Sequence, residues 1–260
     1  MTDTHTHIYL PGEDGKGDIF SPEEYFRRAL DAGVSRMIFP NIDRTSIEPL
    51  LKLHHLFPEH SYTAVGLHPT EVFDNWKDEF NYIFSAFSDE TPVAVGEVGM
   101  DLYWDKTFRE QQIAAFTAQV EKAEKMDLPV IIHQREALDE TLGVLQDAGT
   151  SCPPCVFHSF TGSPTEADRI LSSGDFMFGI NGVATFKNAK DVRETIKLIG
   201  IERIMLETDS PYLAPVPKRG KRNESAFLPY IASVIADTLD ISPEEVKSVT
   251  DSNATRFFNL

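Results

Sequence analysis

The segments TPVAVGEV (91–98) and LPVIIH (128–133), with a helical stretch between them, decide the fold. Both are short and almost continuously apolar, the pattern of strands buried on both faces of a parallel sheet. A strand, a helix and a strand in that order make one right-handed parallel crossover unit. Working outward, six further runs have the same character: TDTHTHI (2–8), SRMIFPN (35–41), SYTAVGLH (61–68), PCVFHS (154–159), DFMFGIN (175–181) and RIMLETD (203–209). Helical patterns with start signals separate them. Ser21 with Pro22 and Glu24 opens a helix that Gly33 closes, and Thr107 with Glu110, Ser163 with Glu166 and Ser242 with Glu245 repeat the same capping signature.

Alternating strands and helices build either an open doubly wound sheet or a closed barrel. Eight units in 260 residues favour the barrel, which typically needs roughly 250. No long linker, low-complexity tract or strong repeat interrupts the chain. The expectation is one α/β domain over 1–260, a (β/α)8 TIM-type barrel with its active site at the C-terminal ends of the strands.

Composition narrows the function. With 41% hydrophobic and 25% charged residues the chain is ordinary for a globular protein. MTDTHTHIYL has no basic stretch leading into an apolar one, so no secretory signal is expected. No apolar run approaches the length of a membrane span. A formal net charge of −17 repels nucleic acid and anionic membranes, so a polyanionic substrate requires cations and a local basic patch at the site. Cys152 and Cys155 form one C-x-x-C pair. With no second pair and a place just before a strand, a structural role leads over redox or zinc, and a reducing cytoplasm is the expected compartment.

Eight histidines are present. His54, His55 and His60 precede the third strand, away from the rim. His5, His7, His68, His133 and His158 fall at C-terminal ends of predicted strands, as do Glu97 and Asp209. In a closed parallel barrel those ends form one rim. His5 and His7, two apart on a strand, face the same way, with Asp3 one pair deeper. Five imidazoles and two acids packed together are costly unless something neutralises them. Divalent cations suit this mixture of borderline and hard donors.

These residues resemble the TatD family of metal-dependent deoxyribonucleases, within the larger amidohydrolase-like superfamily. The resemblance lies in DTHTH (3–7), VGLHP (65–69), VGEVGMD (95–101), PVIIHQRE (129–136), FHSFTG (157–162), LETDSPYLAPVPKRGKRNES (206–225) and NATRFF (253–258), so it covers essentially the whole chain. It implies that His5, His7, Glu97 and Asp209 hold one divalent ion and that Glu97, His133 and His158 hold a second, with Glu97 bridging; the ions are Mg, Mn or Zn. It further implies that His68, Arg135 and Lys221, Arg222 and Asn223 face the substrate phosphate. Ser159, Thr161, Lys218 and Ser225 depart from the commoner pattern without removing a ligand.

The expected activity is a divalent-metal-dependent hydrolase, a deoxyribonuclease or exonuclease acting on DNA or RNA ends through a metal-bridging hydroxide. Glu97 and Asp209 are the expected catalytic residues, with Asp209 orienting the water and accepting its proton. PKRGKRN (217–223) supplies local cations in the loop after strand 8, where this fold often binds phosphate. Tyr103, Trp104, Phe160 and Tyr212 near the rim are candidates for stacking on unpaired bases. Nucleic-acid ends are expected to bind weakly, with no membrane and no obligate protein partner. The alternative is an amide or ester hydrolase; such enzymes often bridge their metals with a modified Lys, and the bridging position here is Glu97.

Overall fold

The computed structural model describes residues 1–10 and 20–260. Eight strands pair in parallel in sequence order, β1 (Thr2–Asp3), β2 (Arg36–Pro40), β3 (Ser61–Val65), β4 (Ala94–Asp101), β5 (Val130–Arg135), β6 (Cys155–Phe157), β7 (Met177–Ile180) and β8 (Ile204–Leu206). The helices α1 (Pro22–Asp31), α2 (Ile47–Leu56), α3 (Trp76–Ala86), α4 (Arg109–Met126), α5 (Leu138–Ala148), α6 (Pro164–Ser173) and α7 (Lys190–Ile199) each follow one strand. Two more, α8 (Leu228–Leu239) and α9 (Pro243–Phe258), follow β8. The barrel closes along a seam beyond the short β1. There Thr4 N–H donates to Leu206 O (3.0 Å), Asp209 N–H to His5 O (2.9 Å) and His7 N–H to Ser210 O (2.6 Å), while Thr6 N–H reaches back to Ile38 O (3.1 Å). The chain is a (β/α)8 barrel.

Two apolar layers hold it. The larger packs the outward faces of the strands against the helices, with Phe39, Val65, Val95, Val98, Val130, Ile132 and Phe157 meeting Phe26, Leu50, Ile83, Phe116 and Ile196. The smaller fills the bottom of the barrel interior with Ile38, Ala64, Ala94, Ile131, Val156 and Met205, plugged from below by Ala254 and Phe258 of α9. Inward positions alternate along each strand. Above Ile131 the next inward residue of β5 is therefore His133, above Val156 on β6 it is His158, and above Met205 on β8 come Glu207 and Asp209. The packed floor stops one pair below the chemistry.

β4 departs from that alternation. Val95 pairs with Val130 and Val98 with Ile132, three steps on one strand against two on the other. This is a bulge of one extra residue. Ala94 already faces inward, so a regular strand would turn Gly96 inward and Glu97 out. The inserted residue lets Glu97 enter the barrel instead. Gly99 then brings the two strands close: at φ +137° it has no Cβ, and one placed there would lie 2.1 Å from His133 O. The strand runs on to Asp101, so Glu97 lies inside β4 rather than at its end.

Ser21 with Glu24 and Ser163 with Glu166 form complete capping boxes, Ser242 accepts from Glu245 N–H, and Gly33 (φ +82°) terminates α1. The expected cap at Thr107 does not form. Thr107 N–H is taken by Asp105 Oδ1 at 2.8 Å, and α4 begins later, at Arg109. The aspartate turn competes for the donor and moves the helix start along.

Candidate metal centre

Glu97 is the middle of the site. Its Oε1 lies 2.7 Å from His133 Nδ1, 2.8 Å from His158 Nε2 and 3.2 Å from His68 Nε2; its Oε2 lies 3.1 Å from His5 Nε2 and 3.4 Å from His7 Nε2. Asp209 Oδ1 stands 3.9 Å from both His5 Nε2 and His7 Nε2. Among the described residues three overlapping donor sets emerge, His5–His7–Glu97, His5–His158–Asp209 and His68–Glu97–His133. All six residues expected to hold metal therefore converge, with His68 beside them. Five of the six, all but the fully buried His5, form with His68 the floor of a cavity of about 540 Å³ walled by Arg135, Gln134, Thr161 and Tyr212.

The outer partners fix which ring nitrogen faces inward. Tyr9 Oη donates to Pro40 O (2.5 Å), so it accepts from His7 Nδ1 (2.9 Å) and leaves His7 Nε2 as a lone pair. Asp101 Oδ2 takes the Nε2 proton of His133 (2.9 Å), leaving Nδ1 as the inward donor atom. Glu207, which also accepts from Ser159 N–H at 2.5 Å, sits 3.5 Å from His158 Nδ1. His68 is opposite in kind. Thr70 N–H donates to its Nδ1 (3.1 Å), so its proton is on Nε2. It offers the cavity a hydrogen-bond donor where His7 and His133 offer lone pairs.

That arrangement fits divalent cations. Lone pairs of His7 and His133 point at carboxylate oxygens; the buried His5 Nδ1 has no hydrogen-bond partner, and His158 Nδ1 has only the Glu207 carboxylate, at 3.5 Å. Nitrogen and carboxylate lone pairs facing one another repel unless a cation or a proton lies between them. Burial raises the Glu97 carboxyl, but the imidazoles of His158, His68 and His5 outweigh it and hold the group well below the usual carboxylate range. Burial pushes His5 well below the usual imidazole range, with His158 adding to the effect. Asp209 is raised to about 6, chiefly by burial, with the imidazoles of His158 and His7 opposing.

Backbone strain gathers at the same end of the barrel. Among the described residues seven non-glycines have positive φ. Asp127, Asp240 and Asn259 cap the C-termini of α4, α8 and α9. The other four, Glu136, Ser159, Asp209 and Leu213, lie at the strand ends around the cavity, three of them lining it.

The cationic loop is placed otherwise than expected. Neither Lys221, Arg222 nor Asn223 lines the cavity. Lys221 is exposed, Arg222 donates to Leu10 O (2.9 Å) and packs over Tyr25, and Lys218 and Arg219 lie over Phe227 and Phe186. Asn223 is fully buried; its amide donates to Thr208 O (2.8 Å) and Tyr212 O (2.6 Å), and its carbonyl accepts from Glu224 N–H (2.9 Å). These bonds tie the loop to the segment just beyond β8. Asn223→Ala is therefore expected to lower stability by about 2–4 kcal/mol, since it strands buried backbone groups. Denaturant unfolding measures this; an unchanged midpoint with a raised KM would restore the substrate role.

Phe160, expected at the rim, is buried against Phe178 in the core, while Tyr103, Trp104 and Tyr212 are exposed. Both cysteines are free, at the bottom of β6, with Cys155 buried. Sequence reading missed Asp101, Glu207 and Tyr9, the partners that orient His133, His158 and His7. Parity had a signal for two of them: Glu207 is two before Asp209, and Tyr9 two after His7.

A barrel whose rim gathers imidazoles and carboxylates into overlapping donor sets defines a metal-dependent hydrolase. The profile of the TatD related DNase family matches residues 2–259, and the chain belongs to that family. It is 35% identical over 255 residues, covering 98% of both chains, to the uncharacterized metal-dependent hydrolase YabD of Bacillus subtilis. It is 32% identical over 244 residues, 92% of this chain and 93% of the relative, to the 3′-5′ ssDNA/RNA exonuclease TatD of Erwinia billingiae. Among solved structures, the TatD homologue YjjV of Escherichia coli superposes with a TM-score of 0.85 at 26% identity, covering 100% of this chain and 98% of that one.

Proposed function

We propose that this TatD-family hydrolase is a phosphodiesterase that trims unpaired ends of DNA or RNA, with two divalent ions of Mg, Mn or Zn in its rim. The observation that supports it best is the Glu97 carboxylate shared among five imidazoles at the floor of an open cavity. His5, His7, Glu97 and Asp209 would hold one ion and Glu97, His133 and His158 the other. Such a pair, when bound, activates water and neutralises the charge of a phosphodiester in attack.

The protein's own groups do the rest. Asp209, whose carboxylate lines the cavity beside His7, accepts the proton of the attacking water. His68 Nε2–H donates to a nonbridging oxygen. Arg135, at the cavity wall, supplies a fixed cation to the same phosphate. A phosphodiester carries the charge that this cation would meet, whereas an uncharged amide or ester does not, and among the described residues no lysine lines the cavity to be modified as a bridge, which favours phosphodiesters over amides. The Erwinia relative's name suggests 3′–5′ polarity. Among the described residues no helix is long and apolar enough to cross a membrane; the free cysteines favour the cytoplasm, and the barrel acts as a single domain without an obligate partner.

Oligonucleotides labelled at the 3′ or the 5′ end, single-stranded and duplex, test the reading alongside a nitrophenyl ester. The expected result is loss of label from single strands, abolished by EDTA and restored by one of the three ions, with little ester turnover. Efficient ester or amide turnover without oligonucleotide cleavage overturns it.

A further inference from the structure

We propose that Tyr103, Trp104 and Arg135 form a stacking ledge for an unpaired nucleobase beside the scissile phosphate, an inference that rests on the nuclease reading above. The central carbon of the Arg135 guanidinium lies over Tyr103, 3.7 Å from the ring centroid, and 5.3 Å from that of Trp104. The two rings meet edge to face at 4.8 Å and 86°. Trp104 is 72% exposed and Tyr103 46%, and no large apolar side chain among those described is more exposed than Trp104.

The ledge is anchored to the site. Tyr103 N–H donates to Asp101 Oδ1 (3.0 Å), and Asp101 Oδ2 holds His133. Leu102 N–H donates to Arg135 O (3.0 Å). Arg135 lines the cavity and follows His133 by two positions on β5, so it stands roughly 6–7 Å further along the same face. A single exposed aromatic on a protein surface means little. Here an indole, a phenol and a guanidinium are contiguous at the mouth of a catalytic cavity.

Charge gives the ledge its purpose. At −17 the molecule repels a polyanion at long range, and Lys218, Arg219 and Arg222 of the loop after β8 lie over aromatic rings, with none of them lining the cavity. Attraction to the strand must come from contacts that need no favourable long-range field. Stacking is such a contact, and it is tolerant of sequence because every base has a π face. An arginine stacked on Tyr103 keeps its N–H edge for phosphate while its outer face and the indole take the base. In a duplex the bases already stack on one another, so the ledge selects unpaired ends.

Trp104 is one of only two tryptophans, and the other, Trp76, is buried, so intrinsic fluorescence reports on the ledge directly. Titrating the intact protein with oligothymidylate is expected to quench emission saturably, and Trp104→Ala to abolish the quench. In single-strand cleavage Trp104→Ala is expected to raise KM about tenfold or more with kcat and melting temperature unchanged, and Trp104→Phe to keep most of the affinity. Oligonucleotides with abasic terminal positions should bind wild type and Trp104→Ala alike. Cleavage by wild type with no effect of Trp104→Ala on KM overturns the ledge and leaves the nuclease reading standing. Absence of any phosphodiester cleavage by wild type overturns that reading, and the ledge falls with it.

Discussion

Glu97→Ala is expected to reduce hydrolysis by at least about 10²-fold while the barrel remains folded. Five imidazoles face this one carboxylate, and it belongs to two of the three overlapping donor sets. Its removal takes away the negative charge that makes the centre attractive to cations and the only atoms common to both proposed ion positions. The loss therefore appears in bound metal as well as in rate. Stability is another matter. The larger apolar layer and the barrel floor do not involve Glu97, and rim residues in this fold bear function more than stability. Metal content by elemental analysis, kcat with metal in excess and the melting temperature of the metal-free protein make the three measurements. Full activity with a full complement of metal would show that the carboxylate is not the centre of the chemistry.

The same residue shows what sequence alone delivers and where it stops. Apolar runs at regular intervals predict eight parallel strands because each strand is buried on both faces, and that periodicity survives folding. Rim histidines could be placed because a strand's end is visible where its apolar run meets polar residues, as at His158, which directly follows β6; His133, where the apolar run of β5 gives out, lies two residues before that strand ends. Glu97 looks like such an end in VGEVGMD. It in fact lies within a bulge, four residues before the strand finishes at Asp101. Bulges are set by the pairing register with the neighbouring strand, which one segment's sequence does not contain. Asp101 was hidden for the same reason: its partner His133 lies on another strand.

The loop after β8 fails for a different reason. PKRGKRN reads as a cationic patch, but a count of charges carries no direction. Arginine and lysine stems pack readily along aromatic rings, and here Phe186, Phe227 and Tyr25 receive Arg219, Lys218 and Arg222. A buried asparagine that satisfies backbone groups looks the same in sequence as one that meets a phosphate.

Asp209→Asn separates proton transfer from ion binding, and is expected to lower kcat by roughly 10²–10⁴-fold with a much smaller change in KM. The replacement is chosen for its backbone. Asp209 sits at φ 54°, a conformation that asparagine adopts more readily than most residues. Its N–H bond to His5 O (2.9 Å) is independent of the side chain, so the seam between β8 and the first strand is kept. The amide oxygen still presents a lone pair toward His5 and His7, and those two with Glu97 retain the donors of the first ion position. What the amide lacks is a carboxylate oxygen able to take a proton. The variant should therefore bind metal and single strands much as wild type does, as read by elemental analysis and Trp104 fluorescence, and fail in turnover. A kcat within a few-fold of wild type would remove Asp209 from the proton path, and loss of one metal per chain would reassign it as a ligand first.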